Sequence, residues 1–183
     1  MNSQPPLPAD FDQAVLGAGL PPVAEALIAQ AGQCRHAPQR ALALLQQARD
    51  LAPSHPATLI ALYRFHFYGN QLACARAVAA EALELGAQAL GQPADWRAAH
   101  TDERFGRFEE AAARFYLFAL KGYAYLNLRL GDLDEGARAL GKLAELDGAD
   151  RVGHKLLAQV LSRMGRDDDY GEAVDAPLAA EPL

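Results

Sequence analysis

Within Leu117–Asp150, apolar or small residues recur at Leu120, Tyr123, Ala124, Leu126 and Leu130, and resume at Leu133, Gly136, Ala137, Leu140, Leu143, Ala144 and Leu146. On each side of the break the spacing is that of a helix with one buried face. Gly131-Asp132 forms the break: glycine admits positive φ, and aspartate can cap the following helix. The stretch predicts two antiparallel helices joined by a tight turn within 34 residues. Such a unit cannot bury its apolar face alone, so this feature constrains the chain to stack it against further helices.

The unit has a period. Gln71-Leu72-Ala73-Cys74-Ala75 occupies the turn-to-second-helix position, followed by Val78, Ala82 and Leu85. Ala41, Ala48 and Leu51 stand 34 residues before Ala75, Ala82 and Leu85, and Pro53 follows as a helix stop. The series Ala41, Leu45, Ala48, Pro53 reads small, bulky, small, proline. In this pattern the chain resembles the tetratricopeptide-repeat family over roughly residues 22–165, with repeats at 22–55, 56–89 and 117–150 and one further first helix at 151–165. In the third repeat Gly136 and Leu143 stand where alanine is usual, and Asn127 where an aromatic is. The resemblance implies an all-α, right-handed α-solenoid of about three helical hairpins plus N- and C-terminal capping helices. It also implies a concave face formed by the first helices. The runs Leu62-Tyr63-Arg64-Phe65 and Pro93-Ala94-Asp95-Trp96-Arg97 resemble small repeat proteins encoded beside bacterial nitrogen-fixation genes.

Composition agrees with the all-α reading. The 51% hydrophobic content is rich in alanine and leucine, both strong helix formers, and no alternating strand pattern persists. At 183 residues one domain with a sizeable core is expected. Two cysteines, Cys34 and Cys74, cannot build a disulfide framework and point to a reducing compartment. The start, Met1-Asn2-Ser3-Gln4-Pro5-Pro6, lacks the basic and apolar regions of a secretory signal, and no window reaches the ~18 apolar residues of a membrane span. A cytoplasmic protein without a membrane partner is expected.

Charge divides the chain further. Of the net −6, six acidic groups and one basic group lie from Arg166 onward, leaving 16 basic and 17 acidic groups in residues 1–165. A nearly neutral body lacks the basic footprint of nucleic-acid binding. Residues 1–21 read as an N-terminal cap segment with a short helix from Asp10 to Leu16, residues 22–165 as the repeat domain, and residues 166–183 as an acidic tail. Residues 90–116 form an insertion between repeats two and three, interrupted by Gly91, Pro93, Gly106 and the run Thr101-Asp102-Glu103-Arg104. The insertion reads either as a lid that contacts a ligand through Trp96 and Arg97 or as a plug in which Trp96 and Phe105 fill a gap between repeats.

No catalytic motif is present: there is no Gly-x-Ser-x-Gly, phosphate loop, His-Glu-x-x-His or Cys-x-x-Cys. Cys34 and His36 lack companions for a zinc site, the five histidines are dispersed, and no metal or cofactor is expected. The informative constellation is charge sorted by helix. Residues 56–69, 111–131 and 151–165 contain cations and no acid, whereas Glu81, Glu84, Asp134, Glu135, Glu145 and Asp147 fall on the second helices. In the family's architecture Arg64, Phe67, Tyr68, Lys121, Tyr125, Arg129, Lys155, Gln159 and Arg163 would face the groove. Cations beside aromatics suit a partly apolar, carboxylate-bearing peptide. Lys121 and Lys155 match the basic residues of the family's carboxylate-clamp members; their asparagines are missing.

A non-enzymatic scaffold that binds an acidic or C-terminal peptide of another protein is therefore the first expectation. A small-ligand or enzymatic pocket between the insertion and helix 111–130, using Arg97, Lys121 and Tyr125, is the second. A homo-oligomerisation module, such as a homodimer, is the third.

Overall fold

Prolines set the first three helix starts among the described residues. Pro22, Pro38 and Pro56 each stand in a first turn, where the missing N–H costs nothing and φ is already helical. The computed structural model describes residues 18–34, 36–107 and 109–167, with side chains to Ser162. The expected helix at Asp10–Leu16, the acidic tail beyond Asp167 and the side chain of Arg163 lie outside the described residues. The fold is all-helical among the described residues: α1 (Pro22–Gln33), α2 (Pro38–Leu51), α3 (Pro56–Tyr68), α4 (Leu72–Leu90), α5 (Glu103–Arg107), α6 (Ala111–Arg129), α7 (Leu133–Leu146) and α8 (His154–Asp167), with a 3₁₀ turn at Trp96–Ala98.

Local chemistry closes the helix ends. His55 Nδ1 accepts from the Ala57 N–H at 3.3 Å, and Thr58 Oγ1 donates to the carbonyls of His55 and Ala52. Gly91, at φ 62°, ends α4 in the left-handed conformation, and the Gln92 N–H reaches back to Ala87 O at 2.8 Å. Gly131 does the same after α6 at φ 84°, and Asp132 then caps α7 by accepting from the Glu135 N–H at 3.3 Å.

Neighbouring helices pair along the chain, α1 with α2, α3 with α4, and α6 with α7, and the most extensive contact joins α4 to α6 across the insertion. Small residues allow this. Ala48 and Ala75 are fully buried, and Ala41 and Ala82 nearly so. One core fills the space among α4, α6 and α7, a second lies among α1–α4 with Phe115, and a third, Ala75, Ala79 and Leu126, borders them at Tyr123 and Tyr63.

The insertion is folded onto the first of these cores. Trp96 is buried with its ring 6.0 Å from that of Tyr123, and buried Phe105 lies 5.8 Å from Tyr116. The charged run expected to interrupt helix instead starts α5. Asp102 accepts from the Arg104 backbone at 2.9 Å, and the Arg104 guanidinium joins Asp102 and Leu90 O. These hydrogen bonds hold the Asp102 carboxyl well down, at about 2. No helix among the described residues is long and apolar enough to cross a membrane.

Candidate functional site

Side chains of α3 meet α6 at Gly122 and Tyr125. A Cβ built on Gly122 would come within 2.7 Å of the Tyr63 hydroxyl, so any larger residue there would have to displace the end of that side chain. Beside it Phe67 stacks on Tyr63 at 5.6 Å, meets Tyr68 edge-on at 5.5 Å and lies 5.9 Å from Tyr125. Burial, with the neighbouring Tyr125 and Tyr68, pushes the Tyr63 hydroxyl up to about 12, so it stays neutral. Tyr68 remains 76% exposed at the edge of this row. Arg129 donates to the Tyr125 hydroxyl at 2.7 Å and lies 5.7 Å from that ring's centre. Arg64 is exposed on the same helix as Tyr68. Phe67, Tyr68, Tyr125 and Arg129 of the expected groove therefore meet in one aromatic, cationic row.

The other expected residues are placed differently. Lys121 points its ammonium at the Val152 carbonyl and so secures the turn between α7 and α8. Lys155 and Gln159 are exposed on α8. Arg97 lies over the Trp96 ring at 4.5 Å and binds Asp95 at 3.3 Å and Glu135 at 2.5 Å. Arg97, Lys121 and Tyr125, proposed together as a small-acid site, are thus each engaged with a different partner.

Glu135 is the polar centre of the α4–α6–α7 junction. Its buried carboxylate accepts from Arg97, from Tyr123 Oη at 2.9 Å and from Arg138 at 2.9 Å. Burial alone would raise its pKa, but these hydrogen bonds from Arg138, Tyr123 and Arg97 outweigh it and hold the carboxyl below its ordinary range. Asn127, fully buried, accepts from Arg76 at 2.9 Å and donates to Tyr123 O. An open pocket of about 400 Å³ runs past Arg76, Tyr123, Asn127, Asp132 and Glu135. Its polar groups already satisfy one another.

A second cluster escaped the sequence reading. Asp147 ends α7, Asp150 sits in the following turn at φ 57° and His154 opens α8, and one donor atom from each lies within 4.8 Å of the others. Sequence reasoning treated His154 as one of several dispersed histidines. The available signal was the spacing Asp-x₂-Asp-x₃-His across a helix break.

No family model matches the sequence, and no solved structure matches it significantly. An uncharacterized 19.8 kDa protein in the nifW 5′ region of Azotobacter chroococcum mcd 1 is 38% identical over 124 residues, which is 64% of this chain and 67% of the relative. The chain belongs to the family of that protein. For this nifW-region family the relative's name gives a position and no activity. That position fits only the gene neighbourhood expected from residues 62–65 and 93–97 and says nothing of a repeat fold, so the chemistry has to be read from the geometry above.

Proposed function

We propose that the chain is a non-enzymatic scaffold of the cytoplasm that grips an acidic or C-terminal peptide segment of a partner protein. In this reading α1–α2, α3–α4 and α6–α7 are three tetratricopeptide-like hairpins in a right-handed stack, α8 caps the end, and α3, α6 and α8 share the binding face. The observation that carries the reading is the row Phe67, Tyr68, Tyr125 and Arg129, with a largely exposed tyrosine at its edge. An exposed ring beside half-buried ones offers apolar contact at low entropic cost, and the guanidiniums of Arg64 and Arg129 suit a carboxylate. Neither α3 nor α6 carries an acidic side chain to compete with the ligand. The two free cysteines, Cys34 and Cys74, fit a reducing compartment.

The test is capture of a partner from native lysate by the parent chain and by Arg64→Glu with Arg129→Glu. Both arginines are exposed, so helical content should not change. Capture should fall at least about tenfold, since charge reversal replaces attraction with repulsion. Undiminished capture by the double variant would remove α3 and α6 as the binding face.

A further inference from the structure

The turn between α7 and α8 contains two carboxylates and an imidazole that the scaffold reading does not use. The Asp147 side chain is 1% exposed, that of His154 8% and that of Asp150 21%. The two aspartates are fixed from outside the cluster. Asp147 Oδ1 accepts from the Arg151 N–H at 3.0 Å and Oδ2 from the Val152 N–H at 2.9 Å, while Asp150 Oδ1 accepts from the Lys155 N–H at 3.2 Å. Each of these oxygens retains a lone pair. His154 Nδ1 is buried and makes no hydrogen bond, although it lies 2.8 Å from Asp150 Oδ1 and 4.0 Å from Asp147 Oδ2. The distance to Asp150 suits a hydrogen bond and the direction does not.

This is an unusual combination. A carboxylate almost wholly removed from water is costly unless paired and hydrogen-bonded, and the group that faces both aspartates is the His154 ring, whose Nδ1 lies 2.8 Å from Asp150 and 4.0 Å from Asp147 without making a hydrogen bond. Lys121 supplies a cation nearby, but its ammonium is directed at the Val152 carbonyl and forms no ion pair with either aspartate. A divalent cation would satisfy both deficits at once, by accepting the imidazole lone pair and neutralising the carboxylates. Nitrogen and oxygen donors lie about 2.0–2.2 Å from zinc, so two ligands of one ion are at most about 4.4 Å apart; the three atoms, all within 4.8 Å of one another, need side-chain shifts of only a few tenths of an ångström to converge on one ion. Three protein donors would leave a coordination position for water.

We propose that Asp147, Asp150 and His154 bind one divalent transition-metal cation of the zinc class, which fastens the start of α8 to the end of α7. The proposal is independent of the peptide-binding reading, because none of the three residues belongs to the aromatic row of α3 and α6.

The test uses the full-length chain, stripped with a chelator and titrated with zinc chloride, with stoichiometry read by metal analysis and affinity by calorimetry. One zinc per chain and a rise in melting temperature are expected. Asp150→Asn and His154→Gln should each weaken zinc binding by more than the ~10–100-fold typical of losing an outer-shell partner. Asp150→Asn keeps an oxygen for the Lys155 N–H, and asparagine tolerates the positive φ, so this variant should fold. His154→Gln provides a second measurement of the same site. Cys74→Ser, at an exposed thiol, should bind zinc as the parent does. A folded parent chain that takes up no zinc overturns the proposal. So does uptake that persists undiminished in Asp150→Asn and His154→Gln, which would assign the metal to exposed thiols or histidines.

Discussion

Tyr116 is fully buried, and its hydroxyl has no hydrogen-bond partner among the described residues. Burial, with Asp95 adding a smaller contribution, pushes that hydroxyl up to about 12, so it remains neutral and gains nothing from ionising. A buried, unsatisfied hydroxyl costs about 1–3 kcal/mol of desolvation, and an apolar group of the same shape avoids it. Tyr116→Phe should therefore leave stability unchanged or raise it by up to ~1 kcal/mol, measured by denaturant unfolding. A clear loss would mean that the hydroxyl has a partner. Other side chains show why the candidate site was only partly legible in the sequence. The phases of Phe67, Tyr125 and Arg129 follow from helical spacing alone, and these residues do meet. Lys121 shares their helix, but its partner is a backbone carbonyl 31 residues away, which no pattern of residue types encodes. Arg97 is likewise claimed by Glu135, 38 residues on.

At the scale of elements, α1, α2 and α3 were legible because prolines mark their starts, and α4 and α6 because Gly91 and Gly131 follow their ends. The insertion was harder to read. Its aromatics, Trp96 and Phe105, are held by tertiary contacts with α6, and α5 is a five-residue helix with too little periodicity to stand out. Glycine at position 136 of α7 has a steric reason. A Cβ there would lie 2.4 Å from Leu128 Cδ2, 2.7 Å from its Cγ and 3.2 Å from its backbone nitrogen. The space that a methyl group would need is taken by Leu128, which is itself almost fully buried. Gly136→Ala should destabilise by about 1–3 kcal/mol despite the better helix propensity of alanine. Gly141, in the same helix, has nothing within 4 Å of a built Cβ. Gly141→Ala should therefore stabilise, by up to ~1 kcal/mol. Paired thermal melts of the two variants compare propensity with packing in a single element. Two variants that shift in the same direction would refute the α6–α7 contact described here.

For the whole molecule, a third cluster of Ala75, Ala79 and Leu126, with Tyr63, Phe67 and Tyr125 packed against it, is where side chains of α3 and α6 meet. The acids follow a different distribution. Glu81 of α4 pairs with Arg49 of α2 at 2.5 Å, and Glu135 of α7 gathers Arg97 and Arg138, so these second-helix acids are engaged within the fold. Arg64 and Arg129 carry no carboxylate partner among the described residues, and the exposed ring of Tyr68 is on the same helix as Arg64. The scaffold account is built on this segregation, and its central claim is that the partner lies on Tyr68. A photo-crosslinking side chain placed at Tyr68, and in a second protein at the exposed Glu84 of α4, tests that claim directly. The account predicts a partner adduct from position 68 that is lost when Arg64 and Arg129 are reversed to glutamate, and none from position 84. An adduct from position 84 with none from position 68 would contradict it.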